Sequence, residues 1–262
     1  MRRVTILQRK RHGGVEILTL NRQKAGNSIS SGLTTELLET LEDISKDGTL
    51  NAVIITGAGC KFFCTGGDVK EYRQIKTTES LNTHFDRTRH AMDMLEALPC
   101  PVIAAVNGYA LGGGGEIMLC CDYRIAEEHA QIGWPQSRLG IIPAWNGIDR
   151  LVRDCGARTA SRLLMTGERI SATRALDLGI LDQVVPAGTV LQAALGHARV
   201  LEEAAPMALR ATKRVIKATG TMKPETVRKL QRDLFPGLWF SADHKEAEAA
   251  FTEKRPPVFK GK

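Results

Sequence analysis

Residues Asn107 to Asp122, NGYALGGGGEIMLCCD, set four consecutive glycines directly before a carboxylate and an apolar run. Such a run removes every Cβ and permits positive φ, so the backbone can approach another group closely where a helix begins. The first N–H groups of that helix have no intrahelical acceptor and lie at the positive end of its dipole. Together they form a donor site suited to an oxygen anion. Glu116 is the only carboxylate between Gly108 and Cys121, and it falls in the first helical turn, which sets an acid/base beside the donors. Close helix–strand packing with a solvated Glu would use the same glycines, so the choice rests on the rest of the chain.

A chain of 262 residues with 43% apolar composition can bury one large core, or one core plus a small appended unit. The net charge of +7 suits an anionic partner, but Lys and Arg are scattered, and a phosphorylated small molecule accounts for the surplus as well as nucleic acid does. Aromatic residues make up 5% of the chain and never interleave with Arg or Lys as a base-stacking platform would, which argues against nucleic-acid binding. Cys60, Cys64, Cys100, Cys120, Cys121 and Cys155 form no CxxC, so buried thiols in a reducing compartment are expected rather than disulfides. The histidines form no HExxH, and no metal site is expected. Met1 to Arg11 is basic but lacks the apolar stretch of a signal peptide, and no apolar run reaches the ~18 residues of a membrane span. A soluble, cytoplasmic protein with no membrane partner is the expectation.

Val15 to Leu20 alternates as a half-buried strand does, and a Gly-Asn-Ser loop at Gly26 to Ser28 leads into a helix from about Ser31 to Lys46, with Leu33, Leu37, Leu38, Leu41 and Ile44 on one face and Gly48 ending it. Ala52 to Thr56 reads as a buried strand. A second helix is expected from about Ser80 to Leu98, with Leu81, Phe85, Met92 and Leu95 inward, before Pro101 restarts extended chain at Val102 to Val106. Strand, helix and strand alternate, which predicts an α/β architecture. Further strands are expected at Tyr123 to Ala126 and Leu181 to Val185, helices at about Gly147 to Met165 and Ser171 to Leu178, and a loop at Gly133 to Pro143. From Ala187 onward the pattern is nearly all helix, with breaks near Pro206, Gly220 to Pro224 and Pro236, and it closes on a charged stretch from Asp243 to Lys254.

A second glycine site, Phe63-Cys64-Thr65-Gly66-Gly67-Asp68, lies about 45 residues before the first and precedes Val69-Lys70-Glu71-Tyr72. Two such loops allow two backbone N–H groups to converge on one oxygen. The chain has no GxxxxGK[ST] loop, no GxSxG elbow and no GxGxxG spacing at Gly112 to Gly115.

The segments LNRQKAGN (20–27), FFCTGGDVKEY (62–72), AAVNGYALGGGGEIMLCCD (104–122), LGIIPAWNGIDRL (139–151), MTGERISATRALDLGILDQVVP (165–186) and FTEKRPPVFK (251–260) resemble, in this order, the crotonase, or enoyl-CoA hydratase/isomerase, superfamily. The resemblance covers about residues 5 to 260. It implies an α/β fold with a spiral of ββα units over residues 1–195, carrying a coenzyme A thioester site, and a C-terminal helical trimerisation region over residues 196–262. Homotrimers or hexamers built as dimers of trimers are implied as well. The oxyanion-hole amides would be those of Gly67 and Gly113, holding the carbonyl of an acyl-CoA thioester, with Glu116 and the residue at position 136 at the catalytic centre. Substrate and CoA contacts would come from Lys24, Ala25, Thr65, Gly66, Asp68, Val69, Lys70, Tyr109, Leu111, Gly112, Pro135 and Trp145. Phe259 and Lys260 match a terminal pair that reaches the adenine end, from the same or a neighbouring subunit. Coenzyme A would enter as part of the substrate, with no tightly bound cofactor.

One departure bears on the reaction. Hydratases of this family use a second glutamate about 20 residues after the first, and here that place holds Gln136, in IGWPQSRLG. A glutamine amide can hold water or a carbonyl but cannot exchange a proton near neutral pH. Ala144-Trp145-Asn146 stands where many hydratases have small residues, which implies a reshaped acyl pocket unless Trp145 is core packing. A single-carboxylate hydratase or double-bond isomerase is the leading expectation. Decarboxylation of a malonyl-type acyl-CoA is the alternative, since loss of CO2 needs the oxyanion hole but no second base. An RNA-binding relative is disfavoured, because the early helix that carries lysines there carries Glu36, Glu39, Glu42 and Asp43 here.

Overall fold

Leu7–His12 (β1) and Val15–Leu20 (β2) pair antiparallel across a Gly13–Gly14 turn, with Leu7 opposite Leu20 and His12 opposite Val15. They lie in a computed structural model that describes residues 5–262, so the first four residues of the basic Met1 to Arg11 stretch fall outside the described residues. β1 has no apolar alternation to announce it, because five of its six residues face solvent on a sheet edge. β2 is not half-buried as its alternation suggests: Leu18 and Leu20 enter one core, Val15 and Ile17 a second, and Glu16 is buried against Arg9 at 3.0 Å. Both faces of the strand are covered, so alternation marks which core a residue joins rather than core against water.

The helix at Ser31–Lys46 (α1) has the expected bounds. The Ser30 hydroxyl caps it by accepting from Leu33 N at 3.2 Å, and the leucine face is buried except for partly covered Leu38. Asp47, rather than Gly48, follows its last turn. Next come Ala52–Gly57 (β3), Phe62–Cys64 (β4), the short helix Val69–Tyr72 (α2) and Thr78–Ala97 (α3). Met92 and Leu95 of α3 point inward and Phe85 is partly covered, but Leu81 is 43% exposed, contrary to expectation. Burial along α3 starts only at Thr88, so its N-terminal turns project past the core.

Val102–Val106 (β5), Tyr109–Leu111 (β6), Gly113–Leu119 (α4), Tyr123–Glu127 (β7) and Gln131–Gly133 (β8) continue the chain. A 3-10 turn at Pro135–Leu139 occupies part of the expected loop, and Gly147–Thr166 (α5), Arg169–Ser171 (β9), Ala172–Asp177 (α6) and Gln183–Val185 (β10) follow. The C-terminal part is Val190–Glu202 (α7), Pro206–Thr219 (α8), Pro224–Trp239 (α9) and Ala242–Glu253 (α10). Pro206 and Pro224 open their helices, where a missing N–H costs nothing. Pro236 itself lies inside α9, and the expected break near it falls at Phe240 and Ser241, between α9 and α10. α7 runs through residue 195 and packs on β3, β5 and β7. α8 is tied to the body by Lys213, whose Nζ lies 2.6 Å from Asp122 and donates to Cys100 O at 2.8 Å.

The strands form two sheets, of order β1-β2-β3-β5-β7-β10 and β4-β6-β8-β9. From β3 to β8 consecutive strands go alternately to the first sheet and the second, so each turn of the chain adds one strand to each before a helix closes it; β9 then joins the second sheet antiparallel to β8, and β10 the first. This α/β spiral sets β4, β6 and β8 side by side and parallel, with Phe62 opposite Tyr109 and Leu111 opposite Gly133. Their C-terminal ends lead into Thr65–Asp68, Gly112–Gly115 and Trp134–Gln136, and the candidate site lies there. Among the described residues no helix is long and apolar enough to cross a membrane.

Candidate active site

The loop after β4 is stitched to the loop before α1. Ile29 N donates to Gly66 O at 2.8 Å and Asp68 N to Ile29 O at 2.9 Å, a parallel bridge that turns the intervening Gly67 N–H away from Ile29. Gly66 takes φ +100°, open only to glycine at low cost, and a Cβ there would lie 3.1 Å from Gly113 N. The two glycine loops, about 45 residues apart in sequence, therefore touch. Gly113 is the first residue of α4, so its N–H has no intrahelical acceptor. The bare faces of these glycines are filled by neighbours: a Cβ on Gly67 would collide with the Tyr72 hydroxyl, on Gly113 with the Trp145 ring, and on Gly114 with the Cys64 carbonyl.

Glu116 is 2% exposed, on the first turn of α4. Its Oε1 accepts from Trp145 N at 2.8 Å and Gly147 N at 3.1 Å. Burial pushes its carboxyl up to about 7, against the pull of those two backbone donors and of Arg150. A group poised there exchanges protons in either direction near neutral pH. Gln136 reaches Glu116 from the loop after β8: its Nε2 donates to Glu116 Oε2 at 3.2 Å, while its Oε1 is buried without a partner. The turn that presents Trp145 N and Gly147 N is held by Arg150, itself 3% exposed, which donates to Trp145 O and Asn146 O at 2.8 and 3.0 Å and pairs with Asp93 and Glu96. Asn146 sits in the left-handed region at φ 62°, which completes the turn.

Of the other sequence-derived candidates, Lys24 and Ala25 form an exposed turn against Thr65, whose backbone N–H and hydroxyl both donate to Gly26 O at 3.1 Å. Asp68 is buried, ion-paired with Arg22 at 2.6 Å, and caps α2 by accepting from Lys70 N. Val69 and Lys70 face solvent beside it, Tyr109, Leu111 and Gly112 line the approach to α4, and Pro135 opens the 3-10 turn that carries Gln136. Trp145 is both core and site: its ring is buried against Gly113 and its backbone N–H holds Glu116. Phe259 and Lys260 are not brought to this region within one chain. Lys260 N and Gly261 N are tied to Asp243, and Gly261 lies near Gly48 past the C-terminal end of α1, whereas Lys24 and Ala25 precede its N-terminal end.

Arg22, Tyr72 and Arg150 carried no role in the sequence, although each stands inside a segment that matched the superfamily. A buried acid such as Asp68 demands a cation, which is the signal that could have found Arg22.

Two sheets threaded by alternating strands, with converging glycine loops and the buried Glu116 carboxyl beside them, define an α/β chain of the crotonase fold. A family model described as enoyl-CoA hydratase/isomerase matches residues 10–262, and the chain belongs to that family. Among its relatives, an enoyl-CoA isomerase/hydratase of Mycosarcoma maydis is 38% identical, over 95% of this chain and 93% of that protein. A 2,3-dehydroadipyl-CoA hydratase of Escherichia coli is 36% identical, over 95% and 96%. The crystal structure of an enoyl-CoA hydratase from Bacillus anthracis superposes with a TM-score of 0.95 at 37% identity, covering 98% of this chain and 100% of that one.

Proposed function

We propose that the chain is an enoyl-CoA hydratase or double-bond isomerase that passes through a thioester enolate, with Glu116 as its single acid/base. The observation that carries this reading is the carboxyl of Glu116, buried and raised to about 7, beside two glycine loops in contact with each other. The N–H groups of Gly67 and Gly113 serve as the oxyanion hole. They stabilise the oxygen as it gains charge and cost no reorganisation at that moment.

In hydration, Glu116 takes a proton from water as the water oxygen adds to the β-carbon, the electron pair passes to the thioester oxygen, and Glu116 returns the proton to the α-carbon. In isomerisation the same group removes one carbon-bound proton and returns it at the other end of the allylic system. Gln136 moves no proton. Its Nε2 is engaged by Glu116, which leaves Oε1 to accept from a water or a substrate hydroxyl.

The CoA portion lies along Lys24, Ala25, Thr65, Asp68, Val69 and Lys70, in a chain whose +7 charge suits phosphates. Since one chain holds Phe259 and Lys260 elsewhere, a contact from them to the adenine end comes from a neighbouring copy, in a trimer or hexamer. A cytoplasmic location belongs to the same reading. Relatives named as hydratases support hydration or isomerisation over malonyl-type decarboxylation.

Calorimetry with acetyl-CoA and acetate tests the ligand class: the thioester binds and the free acid does not, and comparable affinity for both would remove the CoA reading. Mass spectrometry on enoyl-, 3-hydroxyacyl- and malonyl-type CoA thioesters then assigns the reaction.

A further inference from the structure

Tyr72, the last residue of α2, places its hydroxyl in the space beside Gly67 that a side chain would fill. Packing fixes it there. The ring sits 5.2 Å from the His84 ring and 5.0 Å from the Phe85 ring, both on α3, so the hydroxyl does not swing freely. A phenol O–H carries one proton that it can donate to an acceptor placed beside it.

The geometry points to Tyr72 as a third hydrogen-bond donor to the acyl oxygen bound at Gly67, one that strengthens as the thioester becomes an enolate. This rests on the acyl-CoA reading of the site and deepens it. Burial, and after it the nearby Glu116 carboxylate, raises the phenol well above its ordinary range, so Tyr72 stays protonated and donates without transferring its proton. The chain needs such a donor for a chemical reason: with Gln136 in place of a second carboxylate, Glu116 must collect and return the proton alone. The enolate therefore waits longer and its charge must be held.

Tyr72→Phe keeps the ring and its packing while removing the donor. The probe is acetoacetyl-CoA, whose enolate absorbs differently from its keto form, so the pH at which the bound ligand ionises reads the donors around its oxygen. In the unmodified protein bound acetoacetyl-CoA ionises at lower pH than in solution. Tyr72→Phe moves that midpoint up by about one unit, and kcat for crotonyl-CoA falls roughly 10- to 100-fold, at or below the ~10²–10³ typical of an oxyanion-hole donor, with KM within about twofold. An unchanged midpoint in folded Tyr72→Phe overturns the assignment of Tyr72 alone, provided acetyl-CoA still binds by calorimetry. If Tyr72→Phe does not fold, an unchanged midpoint in folded Tyr72→Met, which also removes the hydroxyl, overturns it instead. Failure of the unmodified protein to bind either thioester overturns this inference together with the acyl-CoA reading.

Discussion

The Nε2 of Gln136 donates to Oε2 of Glu116 at 3.2 Å, so the residue standing where a second carboxylate would act is a hydrogen-bond donor to the first. That bond orients the amide, whose other end, the buried oxygen, is left without a partner. A carboxylate at position 136 would reverse the sign of the contact, since two acids at this distance do not both ionise.

Gln136→Glu restores a group able to exchange a proton, and crotonyl-CoA hydration rises by roughly the 10²–10⁴-fold of one positioned general acid/base. Initial rates at saturating substrate measure it. A rate that stays flat or drops excludes position 136 as the missing acid/base.

Glu116→Gln suppresses the native proton-transfer reaction and at the same time stabilises the fold at alkaline pH. The carboxyl titrates at about 7 in the folded chain against an ordinary 4.5, so the folded state binds the proton more tightly. The stability this confers is full below the ordinary value and is lost as pH rises through about 7. At ~1.4 kcal/mol per pKa unit the loss is on the order of 3 kcal/mol. Thermal melts from pH 5 to pH 8 should fall more steeply for the unmodified protein than for Glu116→Gln, and parallel curves would contradict the raised carboxyl.

Gly113→Ala and Gly114→Ala separate two kinds of crowding. The first Cβ meets the Trp145 ring, and Trp145→Leu in the same chain makes room and recovers stability. The second meets the backbone carbonyl of Cys64 on β4, which no side-chain truncation relieves, so the overpacking cost of ~1–3 kcal/mol or more persists. Chemical denaturation of the single and double variants decides it; rescue of Gly114→Ala by Trp145→Leu would count against the assignment.

Arg22→Met strands the buried Asp68 carboxylate and loosens the two loops that Arg22 joins. Removing one partner of a buried pair costs roughly 3–5 kcal/mol, with the lower end fitting a partly exposed arginine. Acetyl-CoA affinity falls with it, and Asp68→Asn in the same chain returns part of the stability. Denaturant midpoints and calorimetric affinities check both, and a double variant no better than the single one would rule out the stranded charge as the cause.

Long elements are legible in the order of residues. α1 and β2 have the bounds their sequence implies, because sixteen residues with leucine at helical spacing and six of alternating chain carry their own periodicity. The four strands of the second sheet have three residues each, too few for a period to register, and they exist through hydrogen bonds to segments distant in sequence. Exposed Leu81 on α3 escaped for the same reason: what surrounds a residue is not written next to it.

The amino-acid sequence by itself determined which groups this protein can use. A glycine run before Glu116 and a second glycine pair at Gly66 and Gly67 are facts of residue order, and the resemblance to the hydratases implies that Gln136 stands in the place of their second acid. Tertiary structure alone decided what those groups can do. It joined β4, β6 and β8 so that two remote loops touch, buried Glu116 until its carboxyl rose to about 7, turned Arg150 onto the carbonyls that aim Trp145 N and Gly147 N, and set the Tyr72 hydroxyl against Gly67. Proton affinity and donor direction depend on solvent exclusion and on atoms supplied by other parts of the chain, and neither has a local signature in sequence.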